Sequence, residues 1–123
     1  MATIRKKILA IDDEGEILDA LRENLEAEGY EVCTASNGAT GLELAEIFKP
    51  DLIFLDVMMP QMNGFQVLER LGASSEIRKT PVVMLSGHGM TDNIFAAQSY
   101  RVRDFLMKPY KITDLVDAMH RYT

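Results

Sequence analysis

Short apolar runs of strand length alternate with stretches of helical periodicity along this chain, and the alternation repeats five times. That order is what most narrows the fold. Lys-Ile-Leu-Ala-Ile at 7–11 reads as the first strand, and 14–28 follows with Ile17, Leu18, Leu21 and Leu25 spaced to lay one helical face on a sheet. Gly29 suits the left-handed stop of that helix. Residues 31–35 form a more polar strand, suited to an edge, before Asn37-Gly38 turns the chain into a helix over 39–48, closed by Lys49-Pro50. The run at 52–55, Leu-Ile-Phe-Leu, is apolar throughout, as expected of a central parallel strand buried on both faces. Pro60 and Gly64 bracket a loop before a helix over 65–71, and 82–85 is a fourth strand. A weaker helix near 91–100 leads to a fifth strand at 102–107, and Thr113 is placed to cap a last helix carrying Leu115, Val116 and Met119. Parallel strands need crossover connections, which helices supply, so the reading is an α/β sandwich with a mainly parallel sheet.

The chain's 123 residues suit a single domain spanning 1–123. A net charge of −6 argues against direct nucleic-acid binding and against an anionic membrane surface. No apolar run approaches the roughly 20 residues needed to span a bilayer, and the N-terminus lacks a signal-peptide core. The lone Cys33 has no internal disulfide partner and reads as small apolar filler, in keeping with a cytoplasmic location.

The strand ends carry the chemistry. The first strand runs into Asp12-Asp13, the third into Asp56, the fourth into Ser86 and the fifth into Lys108-Pro109. In an open parallel sheet the carboxyl ends of the strands share one edge, where ligands bind. Taken singly, each group reads as a turn former, a helix cap or a solvated strand exit. Taken together, three carboxylates, a hydroxyl and an ammonium suit divalent-metal and phosphate chemistry. Close carboxylates repel unless a cation joins them, and a small site of hard oxygen ligands suits Mg²⁺. Asp56, at the end of the most central strand, is placed to act as a nucleophile toward phosphorus, with Lys108 as a point charge and Ser86 as a hydroxyl donor.

These segments resemble the receiver domain of two-component response regulators over essentially the whole chain. The carriers are Asp12-Asp13-Glu14, Leu55-Asp56-Val-Met-Met-Pro60-Gln-Met-Asn-Gly64, Leu85-Ser86-Gly-His88-Gly89 and Asp104-Phe105-Leu-Met-Lys108-Pro109-Tyr110. The resemblance implies a flavodoxin-like sandwich: a five-stranded parallel sheet of order 2-1-3-4-5 with five helices on its two faces. It implies Asp56 as phosphoacceptor, with the phosphoryl group coming from a histidine kinase or a histidine phosphotransfer protein. Mg²⁺ would be held by Asp13, Asp56 and the Met58 backbone carbonyl, with Asp12 assisting through water. Lys108 would contact the phosphoryl group, and the peptide to Pro109 would be cis. Ser86 and Phe105 match the family's switch pair, a hydroxyl that swings to the phosphate and a ring that turns inward behind it. The output would be a contact made by the helix near 91–100, the fifth strand and the last helix, addressed to a downstream protein or to an effector domain outside this chain. The domain would catalyse its own phosphorylation and dephosphorylation and turn over no external substrate.

The chain departs from the family pattern in places. Arg101 and Val102 stand where Gly-Ala is usual, and the helix near 91–100 is poorly amphipathic. Tyr100, Arg101, Arg103, Tyr110 and Lys111 are candidates for a basic-aromatic output patch. Met58 would shield the acyl phosphate from water, so slow self-dephosphorylation is expected; His88 reads as solvated. A Mg²⁺-dependent phosphohydrolase is the competing reading, but haloacid-dehalogenase-like enzymes carry a second acid where this chain has Met58, and no residues remain for a cap. A flavin-binding reading fails on the acids after the first strand, which would repel a flavin phosphate.

Overall fold

The apolar run at 52–55 has no solvent exposure, which requires helices on both faces of the strand it forms. The computed structural model describes residues 5–86 and 102–123. Their order is β1 (Lys7–Ile11), α1 (Gly15–Ala27), β2 (Glu31–Ala35), α2 (Gly38–Phe48), β3 (Leu52–Asp56), α3 (Gly64–Ala73), β4 (Val82–Ser86), β5 (Val102–Met107) and α4 (Ile112–Tyr122). The strands form one sheet of order β2-β1-β3-β4-β5, every neighbouring pair parallel. This is the expected flavodoxin-like sandwich. Four of the five expected helices fall among the described residues; the one near 91–100 lies outside them, as do His88, Tyr100 and Arg101.

Side chains alternate across the sheet and divide the core in two. Ile53 and Leu55 join Leu9, Ile11 and Met84 against Ala45 of α2 and Val67, Leu68 and Leu71 of α3. Leu52 and Phe54 join Ile8, Ala10, Val83 and Leu85 against Leu18, Leu21 and Leu25 of α1 and Leu115, Ala118 and Met119 of α4. Each such large side chain stabilises the fold by roughly 1.5–3 kcal/mol on burial, so β3 is anchored from both sides. β5 accommodates one extra residue, because Val82 and Val83 pair with Val102 and Asp104 and skip Arg103. Beyond this bulge Phe105 pairs with Met84 and Met107 with Ser86, which brings Lys108 to the carboxyl edge.

Local signals set the helix ends. Gly29 takes the left-handed conformation after α1, with φ of 92°. The Asn37 side chain accepts the Thr40 amide at 2.8 Å. Asn63 and Gln66 cap α3 reciprocally, at 3.0 and 2.9 Å, so the helix starts at Gly64, one residue before the expected start. α4 starts at Ile112, upstream of the expected Thr113 cap, because Asp114 accepts the Lys111 amide at 3.0 Å and supplies the cap itself. Among the described residues no helix is long and apolar enough to cross a membrane.

Candidate functional site

The strand register brings two acids side by side. Asp12 follows β1 directly, its amide still donating to the Ala35 carbonyl at 3.1 Å. Asp56 closes β3 in register with Leu85, and the next amide, Val57, donates to the Leu85 carbonyl at 3.0 Å. Both side chains are buried, Asp12 completely and Asp56 to 2% exposure, while Asp13 is exposed at the rim. Each of the three acids offers a carboxylate oxygen within 4.8 Å of the others.

Lys108 reaches this cluster from the end of β5, where its peptide to Pro109 is cis. Its Nζ lies 3.1 Å from Asp12 Oδ2, 3.2 Å from Asp56 Oδ1 and 3.6 Å from Glu14 Oε1. Asp12 Oδ1 accepts the Glu14 amide at 2.9 Å. Asp12 Oδ2 is close to the ammonium but takes no aligned hydrogen bond among the described residues. Burial pushes the Asp56 carboxyl up from 3.8 to about 7, and the neighbouring Asp12 charge pushes the same way; Lys108 and the Met58 backbone amide only partly offset this. Burial alone lowers Lys108, but its pairing with Asp12 and then Asp56 outweighs that, and the net direction is upward.

The loop after β3 closes the site from the α3 side. Met58 is 67% exposed at its rim, and Met59 is buried. Gln61 has a left-handed φ of 69° and the Met62 amide donates back to the Pro60 carbonyl at 2.7 Å, a γ-turn of the uncommon, strained hand. The chain then returns so that the Gly64 amide donates to the Val57 carbonyl at 2.8 Å.

The family profile described as "Response regulator receiver domain" matches residues 8–120. The chain belongs to that family. As a receiver it is a component of phosphorylation-dependent two-component signalling. The alkaline phosphatase synthesis transcriptional regulatory protein PhoP of Bacillus subtilis is 38% identical over 107 residues, which is 87% of this chain and 44% of PhoP. The chemotaxis protein CheY4 of Vibrio cholerae superposes with a TM-score of 0.92 at 29% identity, covering 98% of this chain and all of CheY4. A response regulator receiver domain protein from Clostridium thermocellum gives 0.87 at 33% identity, over 95% of this chain and 93% of that one. The chain spans about half the length of the curated relatives it matches.

Other receiver positions singled out in the sequence fall at varied depths. The Ser86 backbone ends β4, and Phe105 is half-buried against the α2–α3 side of the core. Arg103 and Lys111 are exposed, whereas Tyr110 turns inward. The Tyr110 hydroxyl is buried and has no hydrogen-bond partner among the described residues, so it is not a polar group of an output patch. Burial, then the Asp12 charge, pushes it up to about 12. Its neighbours across a cavity of about 480 Å³ include Ile17, Leu21 and Ile112. Tyr110→Phe is expected to stabilise the receiver by roughly 1 kcal/mol, since it removes an unpaired buried hydroxyl and keeps the ring. Urea unfolding checks this: the midpoint should rise with the slope unchanged.

Two participants went unassigned at the sequence level. Glu14 was visible only as the residue after the acid pair, and its ion pair with Lys108 joins residues from opposite ends of the chain. Gly64 was read as a loop boundary, although it lies against the Asp56 backbone.

Proposed function

We propose that this receiver accepts a phosphoryl group on an Asp56 carboxylate oxygen from a histidine kinase or a histidine phosphotransfer protein, with Mg²⁺ bound in the same pocket. The observation that supports it most is one ammonium within 3.2 Å of two buried carboxylates at the end of the central strand. The donor set fits the metal: three carboxylate oxygens lie within 4.8 Å of one another, and one oxygen of fully buried Asp12 lacks an aligned hydrogen bond. Asp13, Asp56 and the Met58 carbonyl would be the ligands, with Asp12 acting through water. Bound there, Mg²⁺ supplies charge neutralisation for the phosphoryl oxygens.

Asp56 attacks as the carboxylate, forming an oxygen–phosphorus bond as the donor's phosphorus–nitrogen bond breaks and the leaving imidazole takes a proton from solvent. Lys108, already between the acids, exchanges its contact with Asp56 for one with a phosphoryl oxygen. Ser86 then holds a second oxygen while Phe105 turns inward behind it, and the change reaches an output surface for which exposed Arg103 and Lys111 are candidates, together with Tyr100 and Arg101 from the sequence. Met58 presents a thioether with no strong donor to orient water, which supports slow self-dephosphorylation. The output is addressed to a downstream protein or to an effector domain outside this chain, in the cytoplasm, with no nucleic-acid contact by the receiver itself. No external substrate is turned over.

Intact-mass analysis after incubation with acetyl phosphate tests the assignment. Wild type should gain a single base-labile phosphoryl adduct only with Mg²⁺ present, and Asp56→Asn should gain none. An adduct at full level in Asp56→Asn would overturn the choice of acceptor.

A further inference from the structure

We infer that Gly64 is a positioning residue for the phosphoacceptor: its missing side chain lets the first turn of α3 press on the Asp56–Val57 backbone and hold it in place. The inference rests on Asp56 as the acceptor. A Cβ built on Gly64 would lie 2.5 Å from the Asp56 carbonyl oxygen, 2.9 Å from Val57 Cα and 3.0 Å from Met84 Cε. The methionine tip can swing aside. The other two atoms are backbone of the segment that carries the nucleophile, and that segment is pinned to β4 through the Val57 amide and the Leu85 carbonyl.

Any side chain at 64 therefore moves either the start of α3 or the end of β3. Both movements break the same closure. The Gly64 amide donates to the Val57 carbonyl at 2.8 Å, so residues 57–64 form a ring anchored at both ends. Within that ring lie Met58, whose backbone amide favours the charged Asp56 carboxylate, and the strained turn at Gln61. The Asn63–Gln66 cap, at 3.0 and 2.9 Å, sets where the helix begins and so where Gly64 sits. With the ring opened, the Asp56 carboxylate loses its fixed direction relative to Asp12 and Lys108.

Three variants test this. Gly64→Ala should remain folded by circular dichroism, take phosphoryl from acetyl phosphate roughly 10- to 100-fold more slowly, and bind Mg²⁺ roughly tenfold more weakly when followed by amide chemical shifts. A control of matched stability, Leu71→Ala or Leu71→Val, weakens the buried far side of the same helix and should keep both values within about twofold of wild type. Asn63→Ala loosens the same turn without adding an atom beside Asp56, and it should slow the transfer by a smaller factor. Should Gly64→Ala not fold, Asn63→Ala decides: slowed transfer supports the role and a wild-type rate overturns it. Near-wild-type rate and Mg²⁺ affinity in folded Gly64→Ala, or equal losses in the Leu71 control, would also overturn it. Wild type that gains no adduct would instead refute Asp56 as acceptor, and the Mg²⁺ titration would still report on Gly64.

Discussion

Asp56→Asn is expected to stabilise the fold, by roughly 2–4 kcal/mol at pH 8 without metal, equivalent to a Tm rise of roughly 5–15 °C. The wild-type carboxyl is buried at 2% exposure beside fully buried Asp12, and it is pushed up to about 7 from 3.8. A gap of that size corresponds to on the order of 4 kcal/mol between its charged and neutral forms. The lower end of the range allows for the amide group of asparagine facing the Lys108 ammonium. Because the folded value lies above the unfolded one, the group's contribution to stability is fully present below about 4 and is lost as pH rises through about 7. Asparagine carries no such pH dependence, so the two proteins should be nearly equal at pH 4 and should separate progressively up to pH 8. With Mg²⁺ held at these carboxylates as proposed, the metal should narrow the gap at pH 8, since it would bind the folded wild type in place of the proton. Thermal unfolding across this range measures it. Equal melting temperatures at pH 8, or a gap that widens toward acid, would show that Asp56 is not under electrostatic strain.

That strain was legible in the sequence in outline only. Asp12, Asp13 and Asp56 could be assigned to one edge because strand ends are marked by where an apolar run stops, and a parallel sheet sends all those ends the same way. β3 was equally plain, since burial on both faces leaves no polar residue between Leu52 and Leu55. What pattern could not show is depth. Asp12 and Asp13 are neighbours with the same side chain, yet one is sealed and the other exposed, and the strand register decides which. Tyr110 entered the candidate output patch on composition, as an aromatic beside Lys111, whereas packing against α1 buries its hydroxyl. The start of α3 was missed by one residue because Asn-Gly is as good a turn signal as a cap, and only the Gln66 reply separates the two. Lys108 was placed at the edge correctly, but its simultaneous contact with Asp12, Asp56 and Glu14 is a property of distances.

Those contacts lead to the opposite effect from Asp56→Asn at the same site. Lys108→Met keeps an unbranched side chain of similar length and deletes the charge, and it is expected to destabilise the receiver by roughly 2–4 kcal/mol at pH 8. The lysine side chain is only 20% exposed, and the two carboxylates it faces most closely are nearly sealed from solvent, so water compensates little when it is lost. Asp56 limits the damage, since a carboxyl already at about 7 can take a proton once the ammonium is gone. The cost should therefore shrink toward about 1 kcal/mol at pH 5, where that proton is already bound in wild type. The same reasoning fixes the sign of the coupling. In an Asp56→Asn background one of the two buried charges is absent, so deleting Lys108 should cost roughly 1–3 kcal/mol less than it does in wild type. Urea unfolding of the four proteins of this cycle, at pH 5 and pH 8, yields the coupling directly. An identical cost of Lys108→Met in both backgrounds would mean that Asp12 and packing alone hold the lysine. A coupling present at pH 8 and faded at pH 5 would instead identify Asp56 ionisation as what the lysine opposes, which is the charge balance a phosphoryl group would have to enter.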